Sequence, residues 1–289
     1  MGSLLLFFDG IGVGRDDPAE NPFAALDVRW LAPVAGRAPV EGTGFRPIDA
    51  TLGVPGLPQS ATGQTTLLTG INAARHLGHH QVGLPGPTLR PVLEEESLFL
   101  KLARAGARPT FANAFSREHL EARRPRWSAS TRAFQASGLP FRMWDAEGQR
   151  GEALSHDYTG EWMTGRGYAM PRLTAADAGE VLCGLIDEHD FVLYEYFLTD
   201  IAAHRGTREQ KLQQASRVEA LVDAVLCRID RDRHQLIVIS DHGNLEEATH
   251  KRHTLNPVPL LTWGPRSAVL LERIRSMTDL APAILESVE

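Results

Sequence analysis

Three aspartates stand at or shortly after the ends of short apolar runs. Asp9 follows Leu4–Phe8, Asp200 follows Phe191–Phe197, and Asp241 follows Leu236–Ile239. Any one of them fits an ordinary turn or helix cap. Ligands bind beyond the carboxyl ends of the strands of an open parallel sheet, where three carboxylates would repel one another unless a cation lay between them. The three together therefore predict a metal site.

Histidines at short spacing complete the set of candidate ligands. His204 lies four residues after Asp200, so the two side chains share one face if the segment is helical. His242 directly follows Asp241, and His253 comes shortly afterwards. Carboxylates mixed with imidazoles suit Zn²⁺ or Mn²⁺. The whole set is too large for one catalytic ion with an open position, and it predicts two ions with room for a substrate.

A segment rich in small residues, Gly56–Gly70, offers a nucleophile. Its pattern predicts a helix over Ala61–Leu68 with Ser60 at the N-terminus, where unpaired N–H groups and the helix dipole favour negative charge. These groups would stabilise a serine alkoxide or the phosphate on it, and a metal on the Ser60 oxygen would lower its pKa further. Taken alone, Ser60 more often indicates an ordinary N-cap. Thr62 is the rival nucleophile.

The elements that must position these residues alternate along the chain. Apolar runs predict buried strands at Leu4–Phe8, Arg108–Ala112, Phe191–Phe197, Leu236–Ile239 and Val258–Trp263. Helical patterns occur at Ser97–Ala105, Ala175–Asp187, Arg208–Ile229 and Leu270–Ser287. This alternation predicts an α/β fold in which a mostly parallel sheet is sandwiched by helices.

The length of 289 residues favours a single α/β domain spanning 1–289 with a modest insertion. Residues 115–171 contain Trp127, Trp144 and Trp162, several glycines and many arginines, and their periodicity is poor. We interpret this stretch as a small inserted cap or an elaborated set of loops. A divergent part of the same core is an equal alternative.

Composition narrows the class of protein. The net charge of −6 and the pI of about 6.0 argue against a nucleic-acid partner. Cys183 and Cys227 lie in apolar, helix-like stretches, which favours small buried hydrophobes over a disulfide. The N-terminal run lacks the basic region and cleavage site of a signal peptide, and no run has the length of a membrane span. We therefore expect a cytoplasmic protein with no membrane partner; the sequence makes no prediction about oligomeric state.

Four motifs, in order along the chain, carry a resemblance to a known family. They are D-G at 9–10, S-A-T-G-Q at 60–64, D-x-x-x-H at 200–204, and D-H-G-N at 241–244 followed by H-T-L-N-P-V-P at 253–259. With these motifs the chain resembles the alkaline phosphatase superfamily. Within it, the chain is most similar to the branch of cofactor-independent phosphoglycerate mutases and phosphopentomutases.

The resemblance implies an alkaline phosphatase-like fold and a role for each matching residue. One divalent ion, Mn²⁺ or Zn²⁺, would be held by Asp9, Ser60, Asp241 and His242, and the other by Asp200, His204 and His253. Ser60 would attack phosphorus in line and form a phosphoseryl intermediate, while the two ions stabilise the attacking and leaving oxygens.

Two departures from the family pattern bear on the reaction. Gln64 stands where the mutases have histidine, and residues 71–199 are too few for the large second domain of the phosphoglycerate mutases. The leading hypothesis is a phosphatase-like phosphoric-ester hydrolase acting on a small phosphorylated metabolite. A mutase acting on a phosphosugar or phosphoglycerate-like compound is the alternative, which the H-T-x-N-P-V-P motif favours. A non-catalytic metal-binding module is a further alternative from another class.

Two basic runs are weaker signals. The run R-H-L-G-H-H at 75–80 favours a solvated loop over a third metal site or a phosphate contact. The arginines of the insertion would either clamp a phosphate or carboxylate or form a charged surface. They are Arg123, Arg124, Arg126 and Arg132.

Overall fold

Six strands form one mixed sheet in the computed structural model, which describes residues 1–26, 34–37, 39, 42–123 and 126–288. The strands of the chain are β1 (Gly2–Phe8), β2 (Gly44–Ile48), β3 (Pro109–Phe111), β4 (Ala114–Phe115), β5 (Arg142–Met143), β6 (Phe191–Tyr196), β7 (His234–Ser240) and β8 (Val258–Trp263). The large sheet has the order β2-β8-β7-β1-β6-β3, and β4 pairs with β5 separately. Strands β7, β1, β6 and β3 run parallel, whereas β8 and β2 add two antiparallel pairings at one edge.

Helices cover both faces of this sheet. They are α1 (Ser60–Thr69), α2 (Ala73–Leu77), α3 (Leu89–Glu96), α4 (Leu98–Arg104), α5 (Arg117–Leu120), α6 (Ala129–Gln135), α7 (Glu161–Thr164), α8 (Ala175–Glu188), α9 (Leu198–Arg205), α10 (Arg208–Arg228), α11 (Ser267–Arg273) and α12 (Leu280–Val288). A π-helical turn at Trp144–Gly148 and a 3₁₀ turn at Met277–Asp279 complete the described elements. The predicted α/β fold with a mostly parallel sheet between helices is confirmed.

The two faces of the central strand β1 point into two separate cores. Leu4, Leu6 and Phe8 pack with α8 and α10, whereas Leu5 and Phe7 pack with α1, α4, α6 and α12. Every residue of β1 is buried, as expected for a parallel strand that is covered on both sides. Each such leucine or phenylalanine contributes about 1.5–3 kcal/mol on burial. The polar side chains that could take part in chemistry therefore lie at the ends of the strands.

One strand was missed, and two predictions need correction. Strand β2 was not predicted, because Gly44–Ile48 is an edge strand that contains glycine, arginine and proline and lacks an apolar period. The predicted helix Leu270–Ser287 is instead α11, a 3₁₀ turn and α12. The break lies at Ser276, whose side chain accepts from the Thr278 N–H while Asp279 accepts from the Ser276 N–H. Cys183 is half-buried, but Cys227 is exposed, and both are free thiols.

The segment 115–171 contains β5, α5, α6, α7 and the π-helical turn. Helix α6 packs into the core through Ala129, Ala133 and Phe134, and Phe134 contacts Phe99 of α4 at a ring-centroid distance of 5.0 Å. The division of the chain into a single domain with a cap at 115–171 stays a prediction. No helix in the described part of the chain is long and apolar enough to cross a membrane.

Candidate metal centre

The carboxyl ends of three neighbouring strands deliver the acidic residues to one edge of the sheet. Asp9 follows β1, Asp200 lies in the first turn of α9 just after β6, and Asp241 follows β7. Since β1 lies between β6 and β7, the three carboxylates converge. Gly10 adopts a positive φ of 74°, and a Cβ on it would lie 2.9 Å from Asp200 Oδ1. Glycine at this position thus lets the loop after β1 approach α9 closely.

One group of ligands consists of Asp200, His204 and His253. Helix α9 places Asp200 and His204 on one face, with His204 Nε2 3.3 Å from Asp200 Oδ1. His253 Nε2 lies 3.5 Å from the same oxygen and 2.9 Å from His204 Nε2. The three ligand atoms lie within 4.8 Å of one another.

The backbone fixes the orientation of both imidazoles. His204 Nδ1 lies 2.7 Å from the carbonyl of Lys251, and His253 Nδ1 lies 2.7 Å from the carbonyl of Pro58. A carbonyl only accepts, so both Nδ1 atoms donate and, in the neutral rings, the Nε2 lone pairs face each other. Two lone pairs 2.9 Å apart repel unless a cation lies against them. This arrangement fits a divalent metal ion whose histidine ligands are held by carbonyls.

The second group contains the buried residues Asp9 and His242, with the partly buried Asp200 shared between the groups. His242 Nε2 lies 3.2 Å from Asp9 Oδ1, 3.7 Å from Asp241 Oδ2 and 3.0 Å from Ser60 Oγ. Within the described residues, the buried Asp9 Oδ1 accepts no hydrogen bond. A buried carboxylate oxygen without a donor is costly, and a cation at this point would satisfy it.

Electrostatics in this second group are unfavourable without a cation. Burial raises the pKa of Asp9 well above its usual range, and the charges of Asp241 and Asp200 raise it further. Burial likewise raises the pKa of Asp241, although the charge of His242 opposes the shift. Burial alone would lower the pKa of His242, but the charges of Asp241 and Asp9 outweigh it and raise the pKa to about 10. The protein therefore concentrates negative charge where it is poorly solvated.

The other group behaves differently because, when no ion is bound, its histidines can take a second proton on Nε2 and donate to its carboxylate. Burial alone would raise the pKa of Asp200, yet the contacts from His204 and His253 hold that pKa well below its usual range. The hydrogen bond to Asp200 correspondingly raises the pKa of His204. Asn244 also donates to Asp200 Oδ1 at 2.7 Å. Asp200 is therefore ionised and available as a ligand.

Ser60 is the first residue of α1, and its side chain faces the ligands. Gln59 occupies the N-cap position and makes no side-chain capping bond, so Ser60 is not the N-cap. The Ser60 hydroxyl lies 3.0 Å from His242 Nε2. The rival, Thr62, is fully buried, and its hydroxyl donates to the Gln59 carbonyl at 3.0 Å. Of the two hydroxyls, the structure directs that of Ser60 toward the candidate metal ligands.

Two further residues of α1 fit the helix against the centre. Gln64 Nε2 donates to Asp9 Oδ2 at 3.1 Å and to Asp241 Oδ2 at 3.2 Å, so one amide bridges both carboxylates. A Cβ on Gly63 would lie 2.8 Å from the Asp241 carbonyl oxygen. Glycine at this position lets α1 pack directly against the loop that carries Asp241 and His242.

Glu246 organises the loop after β7 and was missed in the sequence. Its carboxylate is 1% exposed and accepts from the N–H groups of Gly12 and Asn244, each at 2.7 Å. It also accepts from the Thr254 hydroxyl at 2.5 Å and from Asn256 Nδ2 at 3.1 Å. The threonine and asparagine of the H-T-L-N-P-V-P motif thus bind this glutamate. In the sequence, the one signal for such a buried acceptor is the pair of polar residues Thr254 and Asn256 that follow His253.

Most of the weaker basic signals lie apart from the centre. His80 Nε2 lies 3.2 Å from the Val54 carbonyl, and His79 Nδ1 lies 3.2 Å from the Leu77 carbonyl. Arg132 pairs with Glu94 at 3.4 Å instead of clamping an anion. Arg126 lines the cavity in front of Ser60, whereas Arg124 lies outside the described residues.

That cavity, of about 340 Å³, opens onto the metal ligands. Asp9, Ser60, Gln64 and Asp200 form its floor. Its volume is near the lower limit for small-molecule sites. The cavity can therefore hold a small molecule with one end on Ser60.

Comparison with known proteins first defines the class. Residues 162–289, somewhat less than half of the chain, match the family model described as the Metalloenzyme superfamily. The fold is similar to that of the alkaline phosphatase from the Antarctic bacterium TAB5, with a TM-score of 0.57 at 12% identity over 99% of this chain and 97% of that one. A cold-active alkaline phosphatase from Shewanella sp. has a TM-score of 0.56 at 12% identity over 100% of both chains.

Sequence comparison then indicates the branch. A 2,3-bisphosphoglycerate-independent phosphoglycerate mutase of Chloroflexus aggregans is 31% identical over 132 residues, which are 41% of this chain and 24% of that protein. The corresponding mutase of Agrobacterium fabrum is 28% identical over 126 residues, 40% of this chain and 25% of the mutase. This chain spans about a quarter of the length of these relatives. The resemblance to the alkaline phosphatase superfamily, near its cofactor-independent phosphoglycerate mutases, is confirmed.

Proposed function

We propose that this protein is a two-metal phosphoric-ester hydrolase that acts on a small phosphorylated metabolite through a phosphoseryl intermediate. The observation that carries the proposal is the hydroxyl of Ser60, at the N-terminus of α1, next to two converging groups of carboxylates and imidazoles. Similarity to phosphatases and phosphomutases supports an enzyme of this general kind.

Two divalent ions, Mn²⁺ or Zn²⁺, would be held by the two ligand groups. Asp200, His204 and His253 would hold one, and Asp9, Ser60, Asp241 and His242 the other. Asp200 lies near both groups, so its carboxylate is placed to bridge them. When bound, such ions supply positive charge that stabilises the attacking and leaving oxygens of a phosphoryl group.

The residues of the chain supply the nucleophile and its environment. Ser60 Oγ attacks phosphorus in line, so the bond from Oγ to phosphorus forms as the bond to the alcohol oxygen breaks. The serine hydroxyl gives up its proton, and the departing oxygen takes up a proton to leave as the alcohol. The unpaired N–H groups at the start of α1 favour the negative charge that develops there. Water then attacks the phosphoserine, releases inorganic phosphate and restores the hydroxyl.

The segment between the nucleophile and Asp200 favours a hydrolase over a mutase. A mutase must retain its product while the phosphoryl group returns to a different oxygen. Residues 71–199 here contribute core elements, including β3, α3 and α4, together with a few short helices. The H-T-L-N-P-V-P motif, which supports the mutase alternative, is accounted for by the contacts of Thr254 and Asn256 with Glu246.

Release of phosphate from a panel of phosphomonoesters tests the proposal. Wild type and Ser60→Ala are compared with Mn²⁺, with Zn²⁺ and with chelator, and Thr62→Val serves as the matched hydroxyl control. We expect metal-dependent release that falls by about 10³-fold or more in Ser60→Ala, with a much smaller change in Thr62→Val. A phosphoryl adduct on the Ser60 peptide after acid quench would support the intermediate.

The contrary outcomes are distinct. Phosphate transfer within one substrate, without release of free phosphate, would replace the hydrolase by a mutase. Two tightly bound ions with neither release nor transfer would indicate the non-catalytic metal-binding module. Full activity in Ser60→Ala would remove Ser60 as the nucleophile.

A further inference from the structure

The cavity in front of Ser60 has an inner wall that the phosphoryl transfer itself does not use. Besides the candidate metal ligands, the cavity lining contains the rings of Phe115, His119, His156 and Phe197, together with the acidic residue Glu195. We call these five residues the ring wall. They come from β4, α5, the loop before α7, the end of β6 and the residue after it. Separate elements therefore converge on one surface.

Glu195 carries a buried carboxyl group that accepts a hydrogen bond from a neighbouring hydroxyl. It is 2% exposed, and the Ser130 hydroxyl donates to its Oε2 at 2.6 Å. A chain of hydroxyls stands behind that bond, with Ser128 Oγ 2.7 Å from Ser130 Oγ and 2.9 Å from Thr131 Oγ1. Since the first hydroxyl donates to the carboxylate, the others can donate in sequence toward it, which fixes the position of Oε2.

The carboxylate retains capacity for a ligand. His156 Nε2 lies 3.5 Å from the same Oε2, beyond normal hydrogen-bond distance. Within the described residues, the polar contacts of the Glu195 side chain fall on Oε2, which leaves Oε1 for a molecule in the cavity. A buried charge with so few partners is costly unless a counter-charge binds to it. The natural ligand of this position is therefore a cation.

The rings around Glu195 also suit a cation. Phe115 stacks on His119 at 5.9 Å between ring centroids and meets His156 edge-on at 5.3 Å, and His156 lies 4.9 Å from Phe197. Burial lowers the pKa of His119, and the nearby His156 lowers it further, so His119 presents a neutral ring. Aromatic faces attract ammonium groups and offer nothing to anions.

An anionic second group on the substrate fits this wall poorly. Among the described residues that line the cavity, the one arginine or lysine is Arg126, whose side chain is exposed. A second phosphate or a carboxylate bound deep in the cavity would face Glu195, and His156, which lies 3.5 Å from that carboxylate, is the one nearby group of the described lining that could offset the repulsion.

We propose that the ring wall binds an ammonium group, so that the preferred substrates are phosphate monoesters of small amino alcohols. This inference rests on the proposed phosphatase function and adds its substrate class. The phosphoryl group would lie against Ser60 and the metal ligands, with the ammonium group against Glu195 and the rings. A cavity of about 340 Å³ that also admits the phosphoryl group has room for a small amino alcohol.

Three substrates of nearly equal size test the charge preference. Phosphoethanolamine carries an ammonium group, propyl phosphate carries a methyl group in its place, and phosphoglycolate carries a carboxylate. We expect kcat/KM for phosphoethanolamine to exceed that for propyl phosphate by about 10- to 100-fold, and phosphoglycolate to be the poorest of the three.

Variants of the ring wall test whether its residues cause the preference for an ammonium group. Glu195→Gln keeps an acceptor for Ser130 but removes the charge, so the ratio of kcat/KM between phosphoethanolamine and propyl phosphate should collapse to within about threefold, mainly through KM. Phe197→Leu should reduce the ratio less, because the apolar surface remains while the aromatic face is lost. Glu180→Gln, on an exposed glutamate of α8, is the matched control and should leave the ratio unchanged.

Several results would overturn the inference. Equal rates with phosphoethanolamine and propyl phosphate in wild type would remove the cation preference, and a preference for phosphoglycolate would reverse it. Loss of a bound metal ion in Glu195→Gln, with an equal fall for all three substrates, would assign Glu195 to the metal centre.

A separate readout distinguishes failure of the proposed function. If wild type, loaded with metal, releases phosphate from none of the three esters nor from p-nitrophenyl phosphate, the phosphatase proposal fails. Calorimetric binding of phosphoethanolamine and propyl phosphate then tests the ring wall directly. Tighter binding of the ammonium compound in wild type but not in Glu195→Gln would support the wall, and equal binding would reject it.

Discussion

The two ligand groups at the sheet edge contain similar residues but differ in their contact with solvent. In one group the side chain of His204 is 36% exposed and that of Asp200 is 18% exposed. In the other, His242 and Asp241 are completely buried. We call the group of Asp200, His204 and His253 the half-exposed group, and the group that contains Asp9, Asp241 and His242 the buried group. In the half-exposed group, the histidines offset the charge of the carboxylate, so Asp200 stays ionised. The buried group cannot do so, and the pKa values of its aspartates rise.

Because the two groups differ in burial, their aspartates and histidines have different physical roles. Repulsion in the buried group is relieved only by a cation or by protons, so binding of an ion there should be strongly coupled to folding and to pH. The half-exposed group should exchange its ion with solvent more readily. The following variants separate the two groups, beginning with the largest expected effect.

Asp9→Asn should have opposite effects on activity and on stability. It removes a carboxylate from the buried group, so phosphate release should fall by on the order of 10³-fold. The metal-free protein should become more stable, because Asp241 and Asp200 no longer face a third buried acid, and its Tm should rise by a few degrees. Thermal unfolding in chelator measures this, with Asp232→Asn on an exposed aspartate as the control. A lower Tm in Asp9→Asn would contradict the repulsion that distinguishes the groups.

His204→Ala should remove one ion and spare the other. The half-exposed group then keeps only Asp200 and His253, whereas the buried group is intact, so phosphate release should fall by about 10²-fold or more. Elemental analysis after dialysis should find about one Zn²⁺ or Mn²⁺ per chain where wild type has two. His79→Ala, an exposed histidine away from the ligands, should retain both. Loss of both ions in His204→Ala would show that the groups do not bind independently.

Glu246→Gln should weaken the centre through the loop that carries its ligands. The amide nitrogen cannot accept, so at least one of the donors Gly12, Asn244, Thr254 and Asn256 loses its partner. Because Asn244 also donates to Asp200, metal affinity in the half-exposed group should fall by about 10- to 100-fold. Thr254→Val removes a single donor and should have a smaller effect. An unchanged affinity would mean that the loop holds its shape without Glu246.

Binding of an ion by the buried group should release protons. With a pKa of about 10, the His242 imidazole holds its proton at pH 7, and a metal binds only the neutral ring. The apparent affinity should therefore fall about tenfold for each unit by which pH decreases below 10. Calorimetry of the His204→Ala protein in two buffers of different ionisation enthalpy isolates this group. A binding heat independent of the buffer would contradict the raised pKa.

Much of the fold and the positions of the ligands follow from the sequence because their signals are local. Runs such as Leu4–Phe8 and Val258–Trp263 are buried on both faces and are therefore mostly apolar. Each acidic candidate directly follows a strand or stands in the turn after it, so a parallel sheet must bring them to one edge. The helix over Ala61–Leu68 follows from local composition, and the face shared by Asp200 and His204 follows from their spacing of four residues.

Tertiary structure alone decided the contacts between segments distant in the chain. Gln64 bridges two carboxylates, Glu246 accepts from donors between Gly12 and Asn256, and Glu195 lies beside rings from three other segments of the chain. None of these roles has a periodic signal, since each depends on groups brought together by the sheet order. The sequence by itself determined which residues could bind metal. Only the packed molecule decided which of them are buried, and burial sets their charge and hence the separate character of the two groups.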